Sequence, residues 1–133
     1  MWNEKAFFGE LSSHLEGDDG VALVRNLYGR LPSTGCVVTW GSGQLGTFNI
    51  RLSDRADPAM MSVTTKGNLI LNFGSFRDTE ERRQLQQKIA QLARQQLGLA
   101  LPDGYENRYP SYSFGEWAHR SEMLIGALAA LPR

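Results

Sequence analysis

Apolar positions first recur at helical spacing. Phe7, Phe8, Leu11 and Leu15 fall on one helix face, Gly17 breaks the pattern, and Asp18 or Asp19 is placed to cap a second short helix carrying Val21, Leu23, Val24, Leu27 and Tyr28. The turn cluster Pro32, Ser33, Thr34 and Gly35 follows, and the period then drops to two. Residues 36–40 (Cys36, Val37, Val38, Thr39, Trp40) are short and β-rich. Over 47–52, Phe48, Ile50 and Leu52 alternate with Thr47, Asn49 and Arg51, which predicts Phe48 pointing inward and Arg51 outward. Two further strands are expected over 59–65 and 68–73, split by Lys66 and Gly67. Asp78 or Thr79 then caps a long helix with Glu80 and Glu81 in its first turn, where the helix dipole favours anions. Leu85, Ile89, Leu92 and Leu97 line one face of that helix and Gly98 stops it. Residues 101–114, with Pro102, Gly104, Pro110 and three tyrosines, read as an irregular connection. Trp117, Leu124, Ile125, Leu128 and Leu131 form a last helix ended by Pro132. The expected fold is α+β: a four-stranded, mostly antiparallel sheet with two N-terminal helices, one long helix after the sheet and a C-terminal helix.

At 133 residues and 41% hydrophobic positions the chain fits one domain over 1–133, large enough to bury one core. No internal repeat, linker or low-complexity tract divides it. The 14 basic and 14 acidic residues cancel, so bulk charge selects neither nucleic acid nor an anionic membrane. Its distribution is uneven. Residues 1–20 set Lys5 against Glu4, Glu10, Glu16, Asp18 and Asp19, whereas residues 21–100 are moderately basic. Eleven of the 14 cations are Arg, the residue suited to bidentate contact with carboxylates and phosphates and equally to internal ion pairs. Cys36 is the only cysteine, which excludes an intramolecular disulfide and a thiolate zinc cluster and fits a reducing compartment. No stretch reads as a signal peptide or a membrane span, so a soluble, cytoplasmic protein is expected.

Candidate chemistry is sparse. Gly41, Gly43 and Gly46 spell G-x-G-x-x-G after an apolar strand, a spacing that elsewhere lets backbone approach a pyrophosphate at a helix N-terminus. Here an alternating strand follows instead of a helix, so the glycines are read as closing a hairpin whose residues need positive φ. A kinase-type glycine loop is excluded because no H-R-D or D-F-G sequence follows it. His14 and His119 have no second ligand at metal-site spacing. Asp54 and Asp57, beside Arg55 and Pro58, read as loop formers rather than ligands of a hard cation. Neither a Ser-His-Asp set nor G-x-S-x-G is recognisable, and Cys36 reads as a small buried hydrophobe. The expectation is therefore no catalytic residue, no metal and no cofactor.

Three surfaces remain. Helix residues Arg82, Arg83, Gln84, Gln86, Gln87, Lys88, Gln91, Arg94, Gln95 and Gln96 surround the apolar stripe and present donors to phosphates or base edges. Tyr105, Tyr109, Tyr112, Phe114 and Trp117 form the densest aromatic cluster, beside Arg108, suited either to packing beneath the loop or to a contact surface. The hairpin over 40–51 offers Trp40, Gly43 and Arg51. The candidate binding residues are Trp40, Gly43, Arg51, Arg82, Arg83, Arg94, Tyr109 and Tyr112.

The run Trp40-Gly41-Ser42-Gly43, then Gly46-Thr47-Phe48 and a hairpin with Gly67 and alternating Leu69, Leu71 and Phe73, resembles a small uncharacterised α+β domain attached to restriction-like nucleases in bacteria and phages. The long helix with Leu85 and Ile89, the connection with Leu101-Pro102 and Tyr109-Pro110-Ser111, and the closing helix from Trp117 extend the likeness over residues 36–131. In fused members the metal-dependent carboxylate-and-lysine nuclease core lies outside this domain, and no D-x(n)-E-x-K pattern occurs here. The resemblance implies an accessory or recognition module and transfers no functional residue.

The reading from sequence is a non-catalytic recognition module of a bacterial or phage protein. It binds a protein partner, such as a nuclease or another defence component, or nucleic acid. The alternative is a small-molecule or nucleotide-binding protein, or an enzyme, that uses the glycine hairpin with Arg51 and Asp54 or Asp57; a homo-oligomeric structural protein is a third possibility.

Overall fold

The computed structural model describes residues 1–52 and 57–132 of the chain. Helix α1 (Glu4–His14) begins where the Asn3 side chain accepts the Ala6 N–H at 2.8 Å, and it buries Phe7, Phe8 and Leu11 on one face. Helix α2 (Gly17–Arg30) buries Val24 and Leu27, and a 3-10 turn over Leu31–Thr34 leads into the sheet. Gly17, expected as a breaker, is the first residue of α2; its φ of +73° makes the corner between the two helices.

The sheet is an antiparallel meander in chain order: β1 (Val37–Trp40), β2 (Thr47–Arg51), β3 (Met61–Thr64), β4 (Leu69–Leu71) and β5 (Ser111–Tyr112). Among the described residues it has five strands where four were expected. The fifth lies inside the connection read as irregular, and its two residues after Pro110 are too few to show alternation. Registers Thr39↔Asn49, Asn49↔Ser62, Ser62↔Ile70 and Ile70↔Ser111 run one row of side chains across all five strands. On that face Ser62 Oγ donates to Asn49 Oδ1 at 2.8 Å, and Asn72 Nδ2 donates to Ser62 Oγ at 3.2 Å. The other face carries Phe48, Ile50, Met61, Val63, Leu69 and Leu71, all buried. They share one continuous core with the apolar faces of the helices, including Phe7, Leu27, Ile89, Leu124 and Leu128.

Helix α3 (Glu80–Gln95) starts at Thr79, whose side chain accepts the Arg82 N–H at 3.1 Å, with Glu80 and Glu81 in its first turn as anticipated. It ends ahead of Gly98, whose φ is +65°. The closing helix is not continuous. It comprises α4 (Phe114–Trp117), a 3-10 turn over Ala118–Arg120 and α5 (Ser121–Ala130). Ser113 and Glu116 form a reciprocal capping box at α4, and the break lets Trp117 enter the core while its Nε1–H reaches Gly67 O at 2.9 Å. None of the helices described is long and apolar enough to cross a membrane.

Candidate functional site

The two surfaces separated in sequence, the Arg/Gln helix and the tyrosine-rich connection, meet at one cleft. The first half of α3 faces two 3-10 turns, Phe73–Ser75 and Tyr105–Asn107, which pack on each other. Between them is an open cleft of about 580 Å³. Glu80, Arg83, Gln84 and Gln87 form the helical wall, and Arg77, Glu106 and Asn107 the opposite one.

Gln86 ties the walls together. It is an exception to the expected polar face: only 3% exposed, it lies on the buried side of α3. Its Nε2 donates to Phe73 O at 2.9 Å and to Glu106 O at 3.0 Å, one bond to each turn. A buried amide that satisfies two main-chain acceptors is expensive to replace by an apolar group, so it holds the cleft open at a set width. Tyr105 supports the far end: its ring packs edge-on to Phe73 with centroids 4.9 Å apart, its hydroxyl donates to Gln87 Oε1 at 3.2 Å, and Arg94 stacks over it at 5.2 Å.

At the near end Arg77 donates from Nε to Gly74 O at 3.1 Å and from Nη1 to Asn107 Oδ1, both neutral acceptors. Arg83 donates to Arg77 O at 2.9 Å and pairs with Glu80 at 3.0 Å. Beside them Tyr109, 53% exposed, packs against Gly74 with its hydroxyl 3.0 Å from Ser75 Oγ. A Cβ on Gly74 would sit 2.7 Å from the Tyr109 ring, so the glycine is what admits the aromatic.

The other candidate residues are distributed elsewhere. Arg82 points away from the cleft, bridging Asp78 at 2.8 Å and Asp57 at 3.4 Å. Hydrogen bonding to Arg82 is the main cause holding the Asp78 carboxyl below its ordinary range. Tyr112 is buried and donates to Ala100 O at 2.7 Å; burial first, then the Glu116 charge, raises its phenol. Trp40 joins an aromatic cluster with Phe7, Tyr28 and Phe48, at centroid distances of 5.7, 5.5 and 6.2 Å. Phe48 points inward as alternation predicts, whereas Arg51 pairs in register with Val37 on the opposite face and donates to Asp57 O. Trp40 and Arg51 therefore do not line a common cleft. Asp54 falls outside the described residues, and among those described there is no group of three or more His, Cys, Asp or Glu able to hold a metal. Cys36 is buried, in keeping with its reading as a small hydrophobe.

The glycine motif has a different explanation from the one its spacing suggests. None of Gly41, Gly43 and Gly46 has positive φ. A Cβ on Gly41 would meet Thr47 Oγ1 at 2.2 Å, and one on Gly46 would meet Thr65 Cγ2 at 2.5 Å and the Trp2 ring at 2.8 Å. Close approach, not turn geometry, requires glycine at Gly41 and Gly46. Trp2, Arg77, Glu106 and Asn107 were not singled out by sequence as site residues, because none belongs to a periodic or catalytic motif, and Glu80 was read only as a first-turn acid of the helix.

Comparison of the chain with protein-family models, with curated proteins and with solved structures returns no match.

Proposed function

We propose that this chain is a non-catalytic recognition module that docks a protein segment of mixed charge in the cleft between α3 and the tyrosine-rich connection. The observation that supports this most is the joining of two sequence-distant polar surfaces in one open cleft with both signs of charge on its walls. Arg77 and Arg83 face Glu80 and Glu106 there, so the cleft carries no net excess of positive charge to drive phosphate binding. Arg82 and Arg83, two of the cations on the helix face considered for nucleic acid, are engaged with Asp78, Asp57 and Glu80. Exposed Tyr109, packed on Gly74 in the turn that flanks the cleft, supplies the amphipathic aromatic that protein contacts favour. In the setting that the family resemblance implies, the partner is a nuclease or another defence component of a bacterium or phage. The nucleotide-binding alternative loses ground because the Trp2 ring already packs on Gly46 of the glycine hairpin.

The test is capture of partners from the source cell after nuclease treatment, comparing wild type with Arg83→Glu, Tyr109→Ala and, as control, Met123→Ser on α5, where Met123 is 52% exposed. One protein retained by wild type and the control but reduced at least about tenfold by both cleft variants is the expected result. Binding indifferent to both variants overturns the cleft assignment. Recovery of nucleic acid that is lost steeply with added salt overturns the choice of a protein partner.

A further inference from the structure

Far from the cleft, the hairpin between β1 and β2 is held by a residue about forty positions away. Trp2 donates its main-chain N–H to Gly41 O at 3.0 Å and its indole Nε1–H to Gly43 O at 2.8 Å. Its ring rests on Gly46, against the space a Cβ would occupy. The adjoining Asn3 fixes the direction of approach by capping α1 through its side chain. The hairpin itself contributes little to its own order. Ser42, Gly43, Gln44 and Leu45 are exposed, and the turn is anchored by Gly41 N–H to Thr47 O at 3.0 Å and by Thr65 N–H to Gly46 O at 2.9 Å. A glycine-rich turn with few buried contacts belongs to the low-stability end of a structure unless something outside it supplies order.

We infer that Trp2 is a latch: it sets whether the hairpin over 41–46 is closed, and its withdrawal opens that hairpin as a local unit while the rest of the sheet stays paired. Its main-chain and indole donors both go to carbonyls of the turn, and the ring covers the glycine at the turn's far end, so one residue bridges both arms. Removing the side chain leaves Gly43 O without its indole donor and uncovers Gly46, while the main-chain bond to Gly41 O loses the ring that holds it in place. The strands below are held independently, since Met60 N–H reaches Ile50 O at 2.8 Å and Thr64 N–H reaches Asn68 O at 2.9 Å. This arrangement makes hairpin order conditional on the 1–3 segment, and whatever captures the Trp2 indole releases the turn.

Amide hydrogen exchange on the full chain tests it. Trp2→Ala is expected to speed exchange at Gly41 and Thr65 by about tenfold relative to Met60 and Thr64. Trp2→Phe keeps a ring but loses the indole donor, and an intermediate change is expected. Gly46→Ala in a Thr65→Ser background displaces the ring without touching Trp2 and is expected to reproduce the Trp2→Ala pattern at Gly41. If Trp2→Ala and Trp2→Phe raise exchange uniformly through β2, β3 and β4, Trp2 is an ordinary core residue and the latch is refuted. Unchanged exchange at Gly41 and Thr65 refutes it equally.

Discussion

Replacing Gln86 by Leu is the sharpest test of how the cleft is built. The side chain is nearly isosteric and the site is buried, so packing is conserved and the change removes the two bonds to main chain together with the long 3.4 Å bond that Gln86 Oε1 accepts from Gln87 Nε2. Phe73 O keeps a second donor, the Phe76 N–H at 2.9 Å, whereas Glu106 O has no other hydrogen bond among the described residues. Each bond contributes about 1 kcal/mol net, and leaving a partly buried carbonyl unpaired adds to that. The expected loss is about 2 kcal/mol, or roughly 7 °C in melting temperature for a domain of this size. Urea denaturation gives the free energy, and exchange at Gly74, whose N–H donates to Arg108 O across the two turns at 3.0 Å, reports whether the loop wall loosens first.

Gln86→Glu supplies the internal control, because a carboxylate there faces two carbonyls with no proton to give. Burial and these acceptors raise the folded pKa of the introduced acid above its unfolded value of about 4.3. The penalty is therefore full above the folded pKa, shrinks as pH falls from there to about 4.3, and below that only the neutral acid remains, with one O–H to donate. Gln86→Leu has no such dependence. A Leu variant within about 0.5 kcal/mol of wild type, or a Glu variant with a pH profile parallel to wild type, would show that Gln86 does not hold the walls.

Two further perturbations follow. Thr79→Ala removes the acceptor for the Arg82 N–H and is expected to lower stability by about 1 kcal/mol, measured by the same denaturation. Asp78, whose folded pKa is depressed chiefly by its hydrogen bond to Arg82, contributes stability that is present above its ordinary value of 3.8 and lost as pH falls through the folded value. Asp78→Asn is expected to flatten the acid side of the melting-temperature curve, and an unchanged acid limb would exclude the Arg82 pair as its origin.

What the sequence revealed depended on repetition. The helices at Phe7 to Leu11 and Leu85 to Leu92, and the alternation of Phe48 and Ile50, each repeat a spacing several times, so burial follows from pattern alone. The fifth strand, Ser111–Tyr112, repeats nothing; it pairs because β4 leaves an edge beside it. Gln86 defeated the pattern for another reason. It stands one turn before buried Ala90 and on the same side as Ile89, but its polarity assigns it to the solvent until the carbonyls it satisfies are known. The glycines at Gly41 and Gly46 were legible as a motif yet not as a cause, since the side chains that crowd them, Trp2, Thr47 and Thr65, lie in other elements or across the turn.

The distribution of the arginines bears most directly on function. Counted along the chain, Arg82, Arg83 and Arg94 make a basic helix face with Arg77 just ahead of it; in space each is directed to a different partner. Arg82 meets two carboxylates, Arg83 a carboxylate and a carbonyl, Arg94 an aromatic ring, and Arg77 only neutral oxygens. Of the four, Arg77 alone carries its charge into the cleft without a carboxylate or ring beside it among the described residues, while Glu106 on the same wall has no cation of its own there. A surface with separated, unneutralised charges of opposite sign discriminates by register: a segment carrying an acid and a base in the matching order gains at both ends, and one in the reverse order meets like charge twice. On the proposed reading such a cleft would favour one orientation of a docked polypeptide, whereas a uniformly anionic backbone would gain at Arg77 and lose at Glu106.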